Sequence, residues 1–475
     1  MQGRPAVVGP AMPSGKPGGR LVVVSNRCTV PRAGSAPGGL AVALNAALRE
    51  SGGVWFGWDG SIADSTRRVP QRDDVDGINY ATVPLQKRDY EEYYKGYANR
   101  VLWPLFHYRI DAMQFAPEYR EGYRRTNEYL ARKLMHVLDD NDVIWVHDYH
   151  LIPLGHELRS AGIDSPIGFF LHIPFPPFDV LRTLPGYVHI LWAFCAYDLI
   201  GFQTDNDLRN FVDCIVRGTG AEVDGDGNIA WGYRRSRAGA FPISIDAHEV
   251  RAMVGNGRDV KTVRRLQQSL HGRQLVIGVD RLDYSKGLPD RFLAYERMLD
   301  KYPETVGDVV YLQVAQPSRE DVPEYNALRL RLEAIVGEIN GRFAEFDWMP
   351  LRYLNKAYAR PTIMNFLALA RVGLVTPLRD GMNLVAKEYV AAQDPSNPGV
   401  LVLSEMTGAA QELDSALRVN PHDHDGIADA VLTALKMPLD ERVDRWQAAY
   451  NVITGNDIFA WSARFLAALR GTLRP

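Results

Sequence analysis

Residues 21–48 read LVVVSNRCTVPRAGSAPGGLAVALNAAL, and this stretch determines the expected fold. Residues 21–24 are apolar and mostly β-branched, which predicts a buried strand, and residues 40–48 have the apolar spacing of an amphipathic helix. Gly38 and Gly39 stand just before that helix. The stretch therefore predicts a strand, a loop and a helix, which is the repeating unit of a parallel sheet.

The same alternation continues in two series along the chain. The first series predicts strands at 143–146, 167–171 and 199–202, with helices near 154–161 and 206–216. The second follows a polar, glycine-rich stretch at 218–232 and a strand near 241–245, and it predicts strands at 275–279, 309–314, 372–375 and 399–403. Strands that are apolar on both faces need helices on both sides of the sheet. We therefore expect an α/β protein with two successive doubly wound parallel sheets.

These two series suggest a division of the chain into two domains. We expect a first Rossmann-like domain at 20–245 and a second at 246–455, with a C-terminal helix at 456–475 that packs back on the first. Residues 1–19 contain five glycines and four prolines without an apolar run, which is typical of a flexible tail.

The composition excludes several classes of protein. The chain has 475 residues, of which 46% are hydrophobic and 23% are charged, as in ordinary globular proteins. The formal net charge is −3, so the chain has no overall field that attracts nucleic acid or an anionic membrane. Any site for an anionic ligand must therefore be local, and neither nucleic acid nor a membrane is an expected partner.

The cysteines and the apolar runs bear on the cellular compartment. Cys28, Cys195 and Cys214 are too few and too scattered for a disulfide framework or a cysteine-rich metal site. No uncharged run reaches the length of a membrane span, and the first residues lack the apolar core of a signal peptide. We expect reduced thiols and a cytoplasmic protein.

Three loops that follow predicted strands could bind an anionic ligand, because ligands of parallel sheets lie beyond the carboxyl ends of the strands. Gly38 and Gly39 would allow close approach to helix N–H groups. Arg281 and Lys286, five residues apart, could neutralise a diphosphate. Asp380 and Glu388 flank a helix start and could accept hydrogen bonds from sugar hydroxyls.

Each loop taken alone also has a plain structural interpretation. A glycine pair before a helix is often an ordinary turn, the basic loop could be a solvated turn, and Asp380 could be a helix N-terminal charge. The histidines of 147–150 and 422–425 have the composition of metal ligands. The pair at 147–150 would need a third ligand and a helix to align it, and capping at a helix start explains the aspartates of 422–425, so no metal is expected.

Taken together, eight segments resemble the bacterial trehalose-6-phosphate synthases, retaining glycosyltransferases of family 20. The resemblance extends from about residue 20 to the C-terminus. The segments are 22–27, 38–40, 55–58, 101–108, 147–150, 170–176, 281–287 and 379–385.

This resemblance implies a GT-B fold, in which two Rossmann-like domains face a central cleft. It also implies glucose transfer from a nucleotide sugar, with UDP-glucose expected, to glucose 6-phosphate, in trehalose biosynthesis and osmotic stress. The family is thought to use a same-face reaction in which the leaving phosphate takes the acceptor proton. No metal cofactor is implied, since the nucleotide sugar is a substrate.

The resemblance also implies roles for individual residues. His172, Asp380, Arg281 and Lys286 would form the catalytic group. The other donor-binding residues would be Gly38, Gly39, Tyr358, Asn383, Leu384, Val385, Ala386, Lys387 and Glu388, with Tyr358 near the base and Glu388 at the ribose. The acceptor would lie on Arg27, Tyr94, Arg319, Trp103 and Asp148, the first three holding its phosphate.

Other functions stay open at this stage. A relative with a different acceptor, such as a glucosylglycerol-phosphate synthase or a pseudoglycosyltransferase, would share the donor loops. A non-catalytic sugar-phosphate sensor could share the whole fold, although it would be expected to lose Arg281, Lys286 or Asp380. A nicotinamide dehydrogenase is disfavoured because neither domain has a GxGxxG turn. Relatives also suggest a homo-oligomer, dimer or tetramer, and a separate trehalose-phosphate phosphatase as pathway partner.

Overall fold

The computed structural model describes residues 19–31, 44–45, 48, 53–65, 68–232, 234–255, 260–318 and 323–472. Its strands form two sheets, one from each half of the chain, as the two apolar series predict. The GT-B arrangement expected from the sequence follows from these two sheets and the cleft that both halves line.

The first sheet has ten strands in the order β3-β4-β2-β1-β5-β6-β7-β10-β9-β8. Its central strands are parallel, and Val23 of β1 lies opposite Trp145 of β5. Antiparallel neighbours occur at the edges, where β3 pairs with β4 and β9 pairs with β8 and β10. The strands are β1 Leu21–Arg27, β2 Val54–Ile62, β3 Gln71–Val75, β4 Ile78–Leu85, β5 Val143–His147, β6 Ile167–Phe170, β7 Leu199–Phe202, β8 Glu222–Val223, β9 Asn228–Trp231 and β10 Arg234–Ala240.

The second sheet has six strands, all parallel, in the order β13-β12-β11-β14-β15-β16. Strand order reverses between β11 and β14, so the loops after these two strands leave the sheet at a topological switch point, where ligands of such sheets bind. The strands are β11 Gln274–Arg281, β12 Val309–Gln316, β13 Leu351–Leu354, β14 Val372–Val375, β15 Val400–Ser404 and β16 Leu417–Val419.

Helices connect the strands within both halves. In the described residues the α-helices are α1 Lys87–Asp89, α2 Trp103–Phe106, α3 Pro117–Leu134, α4 Leu154–Ser160, α5 Phe178–Leu181, α6 Tyr187–Phe194, α7 Asp205–Thr219, α8 Ala247–Met253, α9 Val260–Leu270, α10 Leu288–Lys301, α11 Pro323–Phe343, α12 Arg360–Leu369, α13 Leu384–Ala392, α14 His424–Lys436, α15 Leu439–Gly455 and α16 Ile458–Arg470. Short 3-10 turns occur at Ile110–Ala112, Tyr149–Leu151, Tyr284–Lys286, Pro303–Thr305 and Gly408–Gln411. None of the helices in the described part of the chain combines the length and apolar character needed to cross a bilayer.

One segment of the first half is a π-helix, Tyr90–Leu102, which joins α1 to α2. Most π-helical segments are single turns, often at functional sites, so a π-helix of 13 residues is unusual. It carries Tyr94, and Trp103 follows it directly.

The last helix, α16, packs on the first sheet although it follows the second in sequence. Phe465 stacks on Trp145 of β5 with ring centroids 4.7 Å apart, and Trp461 contacts the same ring. Gly168 permits this approach, because a Cβ atom there would lie 2.9 Å from side-chain atoms of Phe465 and Leu469. The helix thus joins both halves through one continuous apolar cluster.

The strand expected near 241–245 is wrong in position. The strand is β10, which ends at Ala240, and residues 241–246 are irregular. Pro242 has no N–H to donate to a ladder. The next amide, Ile243 N–H, donates to the side chain of Gln203 at 3.0 Å instead of to a strand.

Candidate active site

A cleft of about 750 Å³ is lined by both halves of the chain at the carboxyl ends of their strands. The first half contributes Ser25, Asn26, Arg27, Trp55, His147, Asp148, His150, His172, Gln203 and Ile243. The second half contributes Val279, Asp280, Arg281, Lys286, Asp380, Met382, Asn383, Leu384, Val385 and Glu388.

An ion pair between Lys286 and Asp380 joins the loops after β11 and β14 in this cleft. Asn383 Nδ2 donates to the same Asp380 oxygen at 3.1 Å. Burial acts to raise the pKa of Asp380, but the Lys286 ammonium opposes it, and the pKa lies below its ordinary value. Asp380 is therefore ionised at neutral pH and can accept hydrogen bonds from sugar hydroxyls.

The N-terminus of α13 also faces the cleft through Leu384 and Val385. Asn383 caps this helix: its backbone has φ 75°, and its Oδ1 accepts from Ala386 N–H at 3.3 Å. A left-handed asparagine is a strained conformation of the kind held at functional sites. The helix start offers backbone N–H groups to an oxygen-rich ligand.

Glu388 and Lys387 are neighbours on α13, but their side chains point to different surroundings. Glu388 lines the cleft and accepts hydrogen bonds from Arg360. The buried Lys387 ammonium donates to Ile243 O at 2.8 Å and pairs with Glu412 at 2.7 Å. The side chain of Lys387 is thus occupied outside the cleft.

Two histidines, the buried His147 and the partly buried His172, lie side by side in the cleft wall. His172 Nε2 lies 3.0 Å from His147 Nδ1, and Gln203 Nε2 lies 3.3 Å from His172 Nδ1. Because Gln203 Oε1 accepts from Ile243 N–H, its amide nitrogen faces His172, which makes Nδ1 of His172 the acceptor. Burial lowers the pKa of His172 to about 3, so the ring is neutral at physiological pH.

Three histidines with lowered pKa values predict that the protein loses stability as the pH falls. Burial lowers the pKa of His107 to about 4, that of His172 to about 3, and that of His147 well below its ordinary value. The unfolded chain binds protons near pH 6.5, whereas the folded protein does not until each lower pKa is reached, so stability declines across this interval. Each histidine contributes up to about 1.4 kcal/mol per pH unit. We expect the unfolding temperature to fall between pH 7 and pH 5.

The matched variant for this prediction is His107→Asn, whose amide can replace the 2.8 Å contact between His107 Nδ1 and Trp103 O. Its unfolding temperature should fall less steeply with pH than that of the unmodified protein. An equal slope in both proteins would contradict a contribution from His107.

The side of the cleft formed by the first half carries Arg27 and Asp148. The Arg27 guanidinium lies 4.7 Å from the centre of the Trp58 ring. Asp148 has φ 75°, and its Oδ1 accepts from His172 N–H at 3.2 Å. Tyr94 lies behind this wall, stacked on His150 with ring centroids 5.9 Å apart.

Trp103 is buried at the junction of the two halves. Its Nε1 donates to Asp283 Oδ1 at 3.3 Å, and the Arg281 guanidinium lies 5.6 Å from its ring centre. The Trp103 ring therefore lies beneath the Arg281 guanidinium and supports it.

Tyr358 lies outside the cleft wall, where its ring packs edge-on against Phe366 and Lys356 lies above it.

The structure brings most of the sequence-predicted residues to this cleft. Those in its wall are Arg27, Asp148, His172, Arg281, Lys286, Asp380, Asn383, Leu384, Val385 and Glu388. Those described but outside the wall are Tyr94, Trp103, Tyr358, Ala386 and Lys387. Gly38, Gly39 and Arg319 lie outside the described residues.

Sequence reasoning missed several lining residues. Gln203 directly follows β7 and could have been found by the rule that selected the other strand ends. Trp55 begins the motif segment 55–58, but its residues carry no polar side chain that would mark a binding role. Ile243 belongs to no motif, so no sequence signal marked it. Within the described residues, no group of three His, Cys, Asp or Glu side chains forms a metal site.

The fold and this cleft define a glycosyltransferase of the GT-B class. The sequence model of glycosyltransferase family 20 matches residues 22–471, and the chain belongs to that family. The resemblance inferred from the motifs is thus confirmed.

Relatives of known name cover almost the whole chain. A trehalose-6-phosphate synthase of Klebsiella pneumoniae is 49% identical over 453 residues, 95% of both chains. A UDP-forming α,α-trehalose-phosphate synthase of Burkholderia xenovorans, solved with glucose 6-phosphate, is 48% identical with a TM-score of 0.92, covering 95% of this chain and 100% of that one. The Escherichia coli protein solved with UDP-2-fluoro glucose is 46% identical with a TM-score of 0.91, covering 95% of this chain and 99% of that one.

Proposed function

We propose that this chain transfers a glucosyl group from UDP-glucose to glucose 6-phosphate with retention of configuration, giving α,α-trehalose 6-phosphate and UDP. The observation that carries the proposal is the match to trehalose-6-phosphate synthases along 95% of the chain. The cleft that holds Arg281 and the Lys286–Asp380 ion pair also supports the proposal. A nucleotide sugar needs cations for its diphosphate and hydrogen-bond acceptors for its sugar hydroxyls.

The donor is proposed to bind along the second half of the cleft. Arg281 and Lys286 neutralise the diphosphate. The Asp380 carboxylate accepts hydrogen bonds from the glucosyl hydroxyls, and the backbone N–H groups at the start of α13 donate to them. His172 lies at the same sugar as a neutral ring. Glu388 accepts from the ribose, Tyr358 lies towards the base, and Gly38 and Gly39 approach the diphosphate.

The acceptor is proposed to bind along the first half. Arg27, Tyr94 and Arg319 hold its phosphate, and Asp148 accepts hydrogen bonds from the sugar. Trp103 shapes this part of the site from its buried position beneath Arg281.

Transfer is proposed to occur on one face of the glucosyl ring. The bond from the anomeric carbon to the diphosphate oxygen breaks, and a bond from that carbon to the acceptor's anomeric hydroxyl oxygen forms on the same face. The hydroxyl proton passes to the leaving diphosphate oxygen. Arg281 and Lys286 stabilise the negative charge on the leaving group more strongly in the transition state than in the ground state.

We further propose the wider setting of the reaction. Since two cations can neutralise the diphosphate, the reaction proceeds without a resident metal. Three buried free cysteines fit a reducing compartment such as the cytoplasm. We also propose a homo-oligomer, a separate phosphatase that acts on the product, and domain limits at 20–245 and 246–455. The segment 1–18, expected from its composition to be a tail, lies outside the described residues.

The proposed function is tested with purified protein, glucose 6-phosphate or glycerol 3-phosphate as the acceptor, and a panel of UDP-, ADP- and GDP-glucose, with and without EDTA. We expect UDP-glucose to give the largest yield of trehalose 6-phosphate together with UDP, and EDTA to leave the rate unchanged. Product analysis by mass spectrometry and NMR fixes the linkage. Absence of disaccharide phosphate with every donor would refute the proposal. A product formed only with glycerol 3-phosphate would assign another acceptor.

A further inference from the structure

Arg360 joins two carboxylates next to the cleft and is the first residue of α12. Its Nε and Nη2 lie 3.3 Å and 3.2 Å from Glu388 Oε1, and its Nη1 lies 2.8 Å from Glu249 Oε2. The side chains of Arg360 and Glu388 are each only 11% exposed. The guanidinium therefore bonds one oxygen of Glu388 in surroundings that are largely closed to solvent.

Both of these contacts with Arg360 use Glu388 Oε1 and leave the second oxygen, Glu388 Oε2, able to accept from a ligand. In the described residues Oε2 takes part in no hydrogen bond, while Glu388 lines the cleft. Burial raises the pKa of Glu388, and Arg360 opposes that rise by stabilising the carboxylate. Arg360 thus fixes the rotamer of Glu388 and favours its charged form.

The arrangement suits recognition of a pair of neighbouring hydroxyls. A carboxylate accepts well from a vicinal diol, and a charged acceptor forms stronger hydrogen bonds than a neutral one. Glu388 lies one helical turn after the α13 N-terminus that faces the glucosyl end of the donor, and Arg360 lies two residues after Tyr358. Glu388 therefore shares the cleft wall with Arg281 and Lys286, and its partner Arg360 is close in sequence to Tyr358, the residue proposed to lie towards the base.

We propose that Arg360 is a positioning residue that makes the enzyme selective for donors with an intact ribose diol, by holding Glu388 Oε2 towards that diol. The inference rests on the proposed function, since it assumes a nucleotide sugar in the cleft. Arg360 touches no substrate in this scheme and acts only through Glu388.

A purely structural role is the competing explanation, because Arg360 also ties α12 to α8 through Glu249. The two explanations differ in the substrate that they affect. A structural role impairs every donor equally, whereas a positioning role impairs only a donor that has the diol.

The test compares UDP-glucose with its 2′,3′-dideoxyribose analogue in steady-state kinetics of the unmodified protein, Arg360→Gln and Arg360→Lys. The unmodified protein should prefer UDP-glucose in kcat/KM by about tenfold to a hundredfold, as expected for a charged hydrogen bond. Arg360→Gln should lose about tenfold in kcat/KM for UDP-glucose, mainly through KM. It should stay within about twofold for the analogue, since the lost contact is absent there.

Arg342→Gln is the matched control, because Arg342 pairs with the two carboxylates of Glu296 and Asp300 on the surface. It should keep the preference for the diol. Arg360→Lys should show an intermediate preference, and this variant decides the matter if Arg360→Gln does not fold. Equal losses for both donors, or an unchanged preference in Arg360→Lys, would overturn the proposal. Turnover of UDP-glucose by the unmodified protein tests the proposed function separately.

Discussion

Replacement of Arg281 by alanine is expected to reduce turnover of UDP-glucose with glucose 6-phosphate by tens to hundreds of fold. Arg281 lines the cleft at the end of β11, and no carboxylate of the described residues forms an ion pair with it. Its charge is therefore available to the leaving diphosphate, where negative charge accumulates in the transition state. The measurement is kcat at saturating concentrations of both substrates.

Two further variants make this prediction specific. Arg329→Ala is the control, because Arg329 is a partly exposed arginine of the same half that pairs with Glu333 outside the cleft wall. The turnover of this variant should be unchanged. Lys286→Ala should also reduce turnover strongly, since it removes the second cation and leaves Asp380 without its ion-pair partner. Near-normal kcat in Arg281→Ala would refute the proposed stabilisation of the leaving group.

The contact between Lys286 and Asp380 is a part of the site that the sequence could predict. The two residues are 94 positions apart, yet each follows an apolar strand of the second series. Because the carboxyl ends of parallel strands lie at one edge, strand prediction was enough to place both loops together. The same rule brought His147 and His172 into contact in the first sheet.

Contacts between elements that no periodicity relates could not be predicted. The hydrogen bond from Trp103 to Asp283 joins the start of α2 in the first half to the loop after β11 in the second half. Arg360 bonds Glu249 and Glu388, and the three residues lie on three different helices. Such pairs depend on how the elements pack. The motif that contains Lys387 likewise gave no sign that its ammonium pairs with Glu412. The sequence therefore predicted which strand ends form the site better than it predicted the contacts that support them.

A second large effect is expected at a buried ion pair next to the loop that contains Arg281 and Lys286. Arg291 is fully buried, and its guanidinium pairs with Asp280, a residue of the cleft wall. It also donates to Thr376 Oγ1 at 2.9 Å and to Lys286 O at 3.2 Å. Arg291 thus fixes the backbone of the loop that carries Arg281 and Lys286, the cations proposed to neutralise the diphosphate.

Arg291→Met is expected to lower the free energy of unfolding by about 3–5 kcal/mol, because it leaves the Asp280 carboxylate buried without its partner. Arg342→Met, which removes a half-exposed arginine that also bonds two carboxylates, should leave the free energy of unfolding nearly unchanged, because water screens exposed ion pairs. Denaturant unfolding of the variants measures both values. The double variant Arg291→Met with Asp280→Asn should recover part of the loss, since the uncompensated charge is gone. A loss in Arg291→Met no larger than in Arg342→Met would mean that water reaches Asp280 and that the pair does not stabilise the donor loop.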